Sequence, residues 1–250
     1  MKIKIGLGCS KLGSLFNYKI NSKKYFKILE HSYKRGIRFY DTSNIYRNGN
    51  SEIFLSKYFL NKKVIISTKF GYQKKKNSFI LKMLNLNKNH VLDDYEEMKK
   101  SVFQSLKRMK FNYIDILFWH SPHSLNKLQL LNAFKTMNFF KMNKTIKYSG
   151  ISISNQKNIE QVINFDNFDF LQLSLKNYLS LNYNLKKKIF MKKNKIIINQ
   201  FFYNLNKENI KRDKYISKYY NLLKKEKNIK YILVGTTNTN HLDYFLNYAK

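Results

Sequence analysis

Short apolar runs and longer stretches of helical periodicity alternate along the whole 250-residue chain. Continuous apolar runs of about four to eight residues are typical of buried parallel strands, whereas apolar residues three and four positions apart are typical of helices. The pattern predicts eight strands: Ile3–Gly8, Arg38–Asp41, Val64–Thr68, Ile114–Phe118, Ile146–Ile151, Phe170–Ser174, Lys195–Asn199 and Tyr231–Val234. Because a helical stretch follows each strand, we expect eight consecutive βα units.

The predicted helices carry start and stop signals. Ser22 can cap the first helix, and Gly36 can end it in a left-handed turn. Another helix is predicted over Asp93–Lys110, where an acidic start and a basic end suit the two poles of the helix dipole.

Eight βα units fit either a (β/α)8 barrel or an open doubly wound sheet. No Gly-x-Gly-x-x-Gly turn follows any predicted strand, and polar residues gather at strand ends, where barrel enzymes place their catalytic groups. We therefore predict an α/β protein with a single (β/α)8 TIM-barrel domain over residues 1–250. Its longest connection, Gly71–Leu92, is rich in Lys and Asn, and we expect a loop or irregular excursion over the barrel mouth.

The charge of the chain raises a different possibility, because a formal net charge of +33 is typical of proteins that bind nucleic acids or anionic membranes. The lysines are nevertheless scattered over nearly every segment together with abundant Asn, Ile, Phe and Tyr. Such scatter indicates compositional drift of solvated surfaces rather than one polyanion site. We expect no dedicated nucleic-acid site.

The remaining composition indicates an ordinary intracellular protein. Cys9 is the single cysteine, so it has no partner for an internal disulfide and no spaced Cys/His set for a metal. The start of the chain lacks the apolar core of a signal peptide, and no apolar stretch approaches the roughly 20 residues of a membrane span. We expect a cytoplasmic protein without a membrane partner or a bound metal; the sequence leaves the oligomeric state open.

Residues able to transfer protons follow three consecutive predicted strands. Asp41 and Tyr46 follow the second strand five residues apart, Lys69 ends the third, and His120 ends the fourth. In this arrangement the chain resembles the aldo-keto reductase family, whose catalytic tetrad is an Asp, a Tyr, a Lys and a His at these places. The resemblance implies an NAD(P)H-dependent enzyme that reduces an aldehyde or ketone.

The chemistry of the four side chains agrees with that resemblance. Reducing a carbonyl requires a hydride at carbon and a proton at oxygen as negative charge develops there. A phenol can supply the proton, but its ordinary pKa is about 10, so a neighbouring ammonium that lowers this pKa assists it. Tyr46 is therefore the expected proton donor and Lys69 the group that lowers its pKa. Asp41 would hold Lys69, and His120 would orient the carbonyl oxygen.

The resemblance also implies cofactor contacts. Gln172 and Ser152 match family residues that bind the nicotinamide amide, and Gly235, Thr236 and Thr237 match a turn that binds cofactor phosphate at a helix start. His241 stands near the position where the family commonly has an Arg for the 2′-phosphate of NADP. The expected cofactor is NADPH, and NADH remains open.

Three further positions depart from the family pattern and leave a second interpretation of the function open. Ile153 replaces the usual Asn beside Ser152, and Tyr244 and Phe245 replace a Glu-Asn pair near the adenine. The alternative is a non-catalytic nicotinamide-binding or regulatory protein on the same fold. Both readings predict cofactor binding, but only the enzyme needs Tyr46 next to Lys69.

Overall fold

The structure is a computed structural model that describes residues 3–14, 22–74, 89–120, 125–155, 157–165, 168–202 and 211–249. The strands are β1 (Lys4–Gly8), β2 (Phe39–Asp41), β3 (Ile65–Phe70), β4 (Tyr72–Lys74), β5 (Asn89–Val91), β6 (Ile114–His120), β7 (Ile146–Ile153), β8 (Phe170–Ser174), β9 (Lys195–Asn199) and β10 (Ile229–Val234). The helices are α1 (Ser22–Lys34), α2 (Asn50–Phe59), α3 (Tyr95–Met109), α4 (Lys127–Met142), α5 (Lys157–Phe165), α6 (Leu175–Leu179), α7 (Tyr183–Met191), α8 (Arg212–Lys224) and α9 (Thr239–Tyr248).

Eight of the strands close into a barrel in the order β1-β10-β9-β8-β7-β6-β3-β2. Every neighbouring pair in this barrel is parallel, so all eight carboxyl ends meet at one face. The predicted (β/α)8 barrel is confirmed, and each of the eight predicted strands coincides with a barrel strand to within a few residues.

The barrel interior and the layer outside it are separate apolar cores. The interior cluster is formed by alternate strand residues: Phe39, Ile116, Phe118, Phe170, Ile197 and Leu233. The larger cluster lies between the strands and the helices. Because side chains alternate across a strand, a residue two positions beyond an interior residue also faces the interior. This rule places Asp41, His120 and Gln172 on the inner wall at the carboxyl ends of β2, β6 and β8.

Local signals at two of the predicted helix ends are present in the structure. Gly36 has a φ of +87°, the left-handed conformation expected after α1. The helix predicted over Asp93–Lys110 is observed at Tyr95–Met109, because the side chain of Asp94 accepts the backbone N–H of Glu97 and so caps the helix.

The connection Gly71–Leu92 departs from the prediction of a loop. Its two ends pair as the antiparallel strands β4 and β5, with Tyr72 opposite Val91, and the N–H of Leu92 donates to the carbonyl of Gly71 at 2.9 Å. An aromatic residue opposite a β-branched one favours such pairing. The Lys/Asn-rich middle of the connection, residues 75–88, lies outside the described residues.

None of the helices in the described ranges is both long enough and apolar enough to cross a bilayer.

Candidate active site

A buried ion pair joins the ends of β2 and β3. The Nζ atom of Lys69 lies 2.7 Å from each carboxylate oxygen of Asp41 and donates to the backbone carbonyl of Thr42 at 2.8 Å. Lys69 is 1% exposed and Asp41 4%. A buried charge is costly unless it is paired and hydrogen-bonded, and the Lys69 ammonium is both. The pair is therefore held in one geometry.

The Asp41 carboxylate also accepts from two neutral side chains. The Ser67 hydroxyl donates to Oδ1 at 2.7 Å, and Nε2 of Gln172 donates to the same oxygen at 3.1 Å. Burial alone would lower the pKa of Lys69, but the charge of Asp41 and the nearby phenol of Tyr46 outweigh that effect, so the pKa of Lys69 is raised. Lys69 consequently stays an ammonium at neutral pH.

Tyr46 reaches this pair from a short turn that follows β2. The turn is a 3-10 helix over Tyr46–Gly49, in which Arg47 and Asn48 have positive φ values of 51° and 59°. Residues other than glycine seldom adopt this conformation, so the surrounding packing must hold the turn. The Nζ atom of Lys69 lies 5.1 Å from the centroid of the Tyr46 ring.

The pKa of Tyr46 differs from the sequence-based expectation. Burial raises this pKa, while the charge and hydrogen bond of Lys69 lower it; the net direction is upward. The expected lowering by Lys69 is therefore present but smaller than the cost of burying a phenolate. At neutral pH Tyr46 is a protonated phenol with an ammonium beside it.

His120 ends β6 next to the same pair. Burial first, and then the charge of Lys69, lower its pKa to about 3, so the imidazole is neutral at physiological pH. Its Nδ1 atom is buried and has no hydrogen-bond partner among the described residues. The ring of Tyr72 meets the His120 ring edge to face, with centroids 5.2 Å apart. The neutral ring keeps unused hydrogen-bonding capacity within this site.

Ser152 and Gln172 extend the network along the inner wall. The two residues are register partners on β7 and β8, and the Ser152 hydroxyl donates to Oε1 of Gln172 at 2.8 Å. Both are buried, at 5% and 0% exposure. Since Gln172 also donates to Asp41, the two predicted nicotinamide contacts are linked to the predicted tetrad by hydrogen bonds.

The predicted phosphate turn lies between β10 and α9 on the same barrel face. Gly235, Thr236, Thr237 and His241 are partly or fully exposed there. The Oδ1 atom of Asn238 accepts the backbone N–H groups of Asn240 and His241, and the Thr236 hydroxyl accepts the N–H of Asn238. The N–H groups that could face a phosphate are thus partly occupied by a cap. Gly235 of the turn lies beside Gly8 of β1, which is the register partner of Asp41 on β2.

The three positions that depart from the family pattern have packing roles. Ile153 is 2% exposed and Phe245 is 0% exposed, and both belong to the outer apolar core. Phe245 contacts Phe201 edge to face at 5.3 Å. Tyr244 is partly buried and its ring contacts that of Tyr248 in a tilted arrangement, with centroids 5.4 Å apart. At least two of the substituted positions are therefore part of the core.

Sequence reasoning missed several groups that complete the site. Ser67 lies two positions before Lys69 on β3, so strand alternation could have placed it on the inner wall. The carbonyl of Thr42 and the ring of Tyr72 carry no comparable sequence signal. Asn44 donates to the carbonyl of Tyr72 at 2.6 Å and thereby ties the turn region to β4. Within the described ranges, no three His, Cys, Asp or Glu side chains are placed to hold a metal ion.

A closed barrel with a buried Asp–Lys pair, a tyrosine and a histidine at its carboxyl face defines the class of protein. A family model described as the Aldo/keto reductase family matches residues 4–232. The chain belongs to the aldo/keto reductase family.

Individual relatives agree with this membership. Norsolorinic acid reductase B of Aspergillus parasiticus is 30% identical over 141 residues, which cover 52% of this chain and 33% of that protein. D-threo-aldose 1-dehydrogenase of a Pseudomonas species is 28% identical over 162 residues, which cover 59% of this chain and 49% of that protein. The chain thus matches about a third to a half of the length of these curated relatives.

The fold has near-complete counterparts among solved structures. The holo form of an aldo-keto reductase from Bacillus halodurans aligns with a TM-score of 0.77 at 16% identity, covering 99% of this chain and 86% of that chain. At this identity the likeness concerns the fold alone.

Proposed function

We propose that this chain is an NAD(P)H-dependent oxidoreductase that reduces an aldehyde or ketone to an alcohol. The observation that carries the proposal is the buried Lys69–Asp41 pair, with Nζ 2.7 Å from both carboxylate oxygens, beside the phenol of Tyr46. One catalytic barrel over residues 1–250 and a reducing, cytoplasmic compartment, which suits the buried free thiol of Cys9, belong to the same proposal.

The residues on the inner wall fit a nicotinamide. A glutamine side chain offers two N–H donors and two acceptor lone pairs, and Gln172 uses one donor on Asp41 and one lone pair on Ser152. Among the described residues, one N–H donor and one acceptor lone pair of Gln172 remain without a partner, and these complement the acceptor and donor of a carboxamide. Gln172 and Ser152 would hold the nicotinamide amide, and Gly235, Thr236 and Thr237 would hold a phosphate.

In this proposal the chain's own residues supply the proton that the carbonyl oxygen receives. A bound reduced nicotinamide supplies the hydride for the carbonyl carbon. Tyr46 donates its phenolic proton to the carbonyl oxygen as that oxygen gains negative charge. The ammonium of Lys69 stabilises the phenolate left on Tyr46, and Asp41 keeps the ammonium charged and in place. Burial keeps the phenol protonated until the reaction requires its proton.

His120 has a separate role in the proposal. A neutral imidazole carries one N–H donor and is not a competing acid, so it can hydrogen-bond the carbonyl oxygen without adding a second charge beside Lys69. The lowered pKa of about 3 keeps His120 in this neutral form throughout the physiological range. His120 therefore orients the substrate, and Tyr46 supplies the proton.

NADPH is the proposed form of the cofactor. The exposed His241 in the first turn of α9 is one group that could contact a 2′-phosphate. Because Arg35, which reaches this helix, is already ion-paired with Asp243 at 2.7 Å, we expect a modest preference over NADH rather than an absolute one. Parallel titrations with the two nucleotides measure that preference.

The test is to titrate the purified protein with NADPH and NADH and to follow nucleotide oxidation with a panel of aldehydes and ketones. Tyr46→Phe should lower turnover by about a hundredfold to ten-thousandfold, the usual contribution of a general acid, and leave nucleotide affinity within about twofold. Turnover that survives in Tyr46→Phe contradicts the mechanism. Nucleotide binding with no turnover on any carbonyl would favour the non-catalytic alternative, and no nucleotide binding would exclude both.

A further inference from the structure

The first turn of α2 contacts both strand ends that carry the buried ion pair. The Ser51 hydroxyl accepts from the Thr42 hydroxyl at 2.7 Å and donates to the carbonyl of Cys9 at 2.9 Å. The next residue, Glu52, accepts from the Thr68 hydroxyl at 2.6 Å. Thr42 directly follows Asp41, and Thr68 directly precedes Lys69. Two consecutive side chains of one helix thus fix the two strand ends relative to each other.

Glu52 is a buried carboxylate whose two oxygens are both engaged. It is 0% exposed, Oε1 accepts from Thr68, and Oε2 accepts from Nε of Arg108 at 2.6 Å. Arg108 is in turn held by the hydroxyl of Ser105, to which Nη2 donates at 3.0 Å. A buried carboxylate with one fixed partner on each oxygen has one orientation open to it. We call Glu52, Thr68, Arg108 and Ser105 the Glu52 network.

The same network touches the turn that carries Tyr46. Gly49 ends that turn with a φ of +81°, and the side chain of Arg108 lies across it. A Cβ atom added to Gly49 would lie 2.8 Å from Cδ and 2.9 Å from Nε of Arg108, so the two groups are already in close contact. Through Gly49, Arg108 limits where the turn, with its two left-handed non-glycine residues, can move.

We propose that the Glu52 network positions the Tyr46 phenol against the Lys69 ammonium. Thr68 fixes the position of Lys69 along β3, and Arg108 fixes the turn that carries Tyr46. Glu52 accepts hydrogen bonds from both Thr68 and Arg108 and so links the two. None of the three faces the reacting groups, so they are positioning residues. The inference rests on the proposed function for its kinetic consequence, but the geometry that it predicts exists without any reaction.

The central variant is Thr68→Val, which keeps the shape of the side chain and removes the donor to Glu52. Because a misplacement of about 1 Å can cost about a hundredfold in rate, we expect kcat to fall about tenfold to a hundredfold while the KM for nucleotide stays within about twofold. Thr68→Ser restores the hydroxyl and should restore kcat. Arg108→Lys loses the planar donor group and should behave like Thr68→Val.

Thr136→Val is the matched control. Thr136 is also 0% exposed, and its hydroxyl also makes one hydrogen bond, to the carbonyl of Asn132 on α4 at 2.7 Å. Thr68→Val should lower the melting temperature more than Thr136→Val, because it leaves one oxygen of a buried carboxylate without its donor. At a temperature where both variants are folded, only Thr68→Val should lower kcat. Equal kcat values in the two variants, or no rescue by Thr68→Ser, would overturn the inference.

A second readout separates this inference from the proposed function. In protein labelled with 13C at Cζ of tyrosine, the Tyr46 resonance is the one missing from Tyr46→Phe. Its chemical shift should move in Thr68→Val and stay in place in Thr136→Val, whether or not the protein reduces a carbonyl. If the Tyr46 resonance moves in Thr68→Val but the wild type reduces no carbonyl, the proposed function alone is contradicted. An unmoved Tyr46 resonance in Thr68→Val would contradict the positioning role alone.

Discussion

The carboxyl face of the barrel has two halves that satisfy their polar groups in different ways. In one, formed by β2, β3 and β6, the charged groups of Asp41 and Lys69 are buried and each is bound by several partners. In the other, the turn from Gly235 to His241, polar groups are exposed and a side chain of the turn itself caps the helix. The first half is rigid by necessity, because an unpaired charge there would be costly.

This difference decides how much each half depends on particular side chains. Asp41 needs a cation within reach, Lys69 needs three acceptors, and the positions that can supply them are set by strand alternation. The turn needs only a capping residue, which many polar side chains can provide, because exposed N–H groups can also bind water. The comparison therefore predicts large effects of substitutions in the buried half and small effects in the turn.

The sharpest test of the buried half is Lys69→Met. It leaves the Asp41 carboxylate buried without its cation, and removing one partner of a buried ion pair costs about 3–5 kcal/mol in the free energy of unfolding. Urea denaturation monitored by circular dichroism measures this loss. The exposed pair between Lys34 and Glu30, 2.6 Å apart, supplies the control, since Lys34→Met should leave the midpoint unchanged.

A double variant shows whether the loss of unfolding free energy comes from the unpaired charge of Asp41. Asp41→Asn combined with Lys69→Met contains no buried charge at this place, so it should be more stable than the sum of the two single changes predicts. Additive losses would mean that the pair is held by its packing rather than by its charges.

The pH dependence of stability provides a second, smaller test of the buried half. The ordinary His pKa of 6.5 applies to unfolded His120, whereas the folded pKa is about 3. Between these values the unfolded state binds a proton that the folded state does not, so stability falls as pH falls below 6.5. Linkage sets this contribution at up to about 1.4 kcal/mol for each pH unit.

His120→Asn removes this contribution while other titrating groups remain. Urea unfolding of the wild type and the variant at pH 5, 6, 7 and 8 isolates it. The difference in unfolding free energy should move in favour of the variant from pH 7 to pH 5 and stay flat from pH 7 to pH 8. A difference that is constant over the whole range would contradict a folded-state His120 that stays neutral.

The two halves also differ in how far the sequence predicts them. The eight strands could be predicted because buried parallel strands read as continuous apolar runs, and the same runs placed Asp41, Lys69 and His120 at the carboxyl ends of strands. The short strands β4 and β5 were not predicted, since three residues give no periodicity. The raised pKa of Tyr46 could not be predicted either, because the desolvation that causes it depends on packing by residues distant in sequence.

In the turn, the sequence predicts hydroxyls and a glycine at a helix start but does not say which atoms they bind. Thr236 and Asn238 have the side chains of a phosphate site and also those of an ordinary helix cap. In the structure they bind each other and the first N–H groups of α9. Whether a phosphate replaces this cap is therefore a question of competition for the same N–H groups.

Asn238→Ala tests that competition. Without nucleotide, loss of the cap should lower the free energy of unfolding by about 1 kcal/mol. At saturating NADPH the loss should shrink, because a phosphate at the start of α9 would bind the N–H groups that Asn238 releases. The matched control is Asn182→Ala, which removes the cap of α7, where Oδ1 accepts the N–H of Leu185 at 2.9 Å. That variant should lose the same amount with and without NADPH. An equal loss in Asn238→Ala under both conditions would show that the turn is only a helix cap, and would place the cofactor phosphate elsewhere on this face.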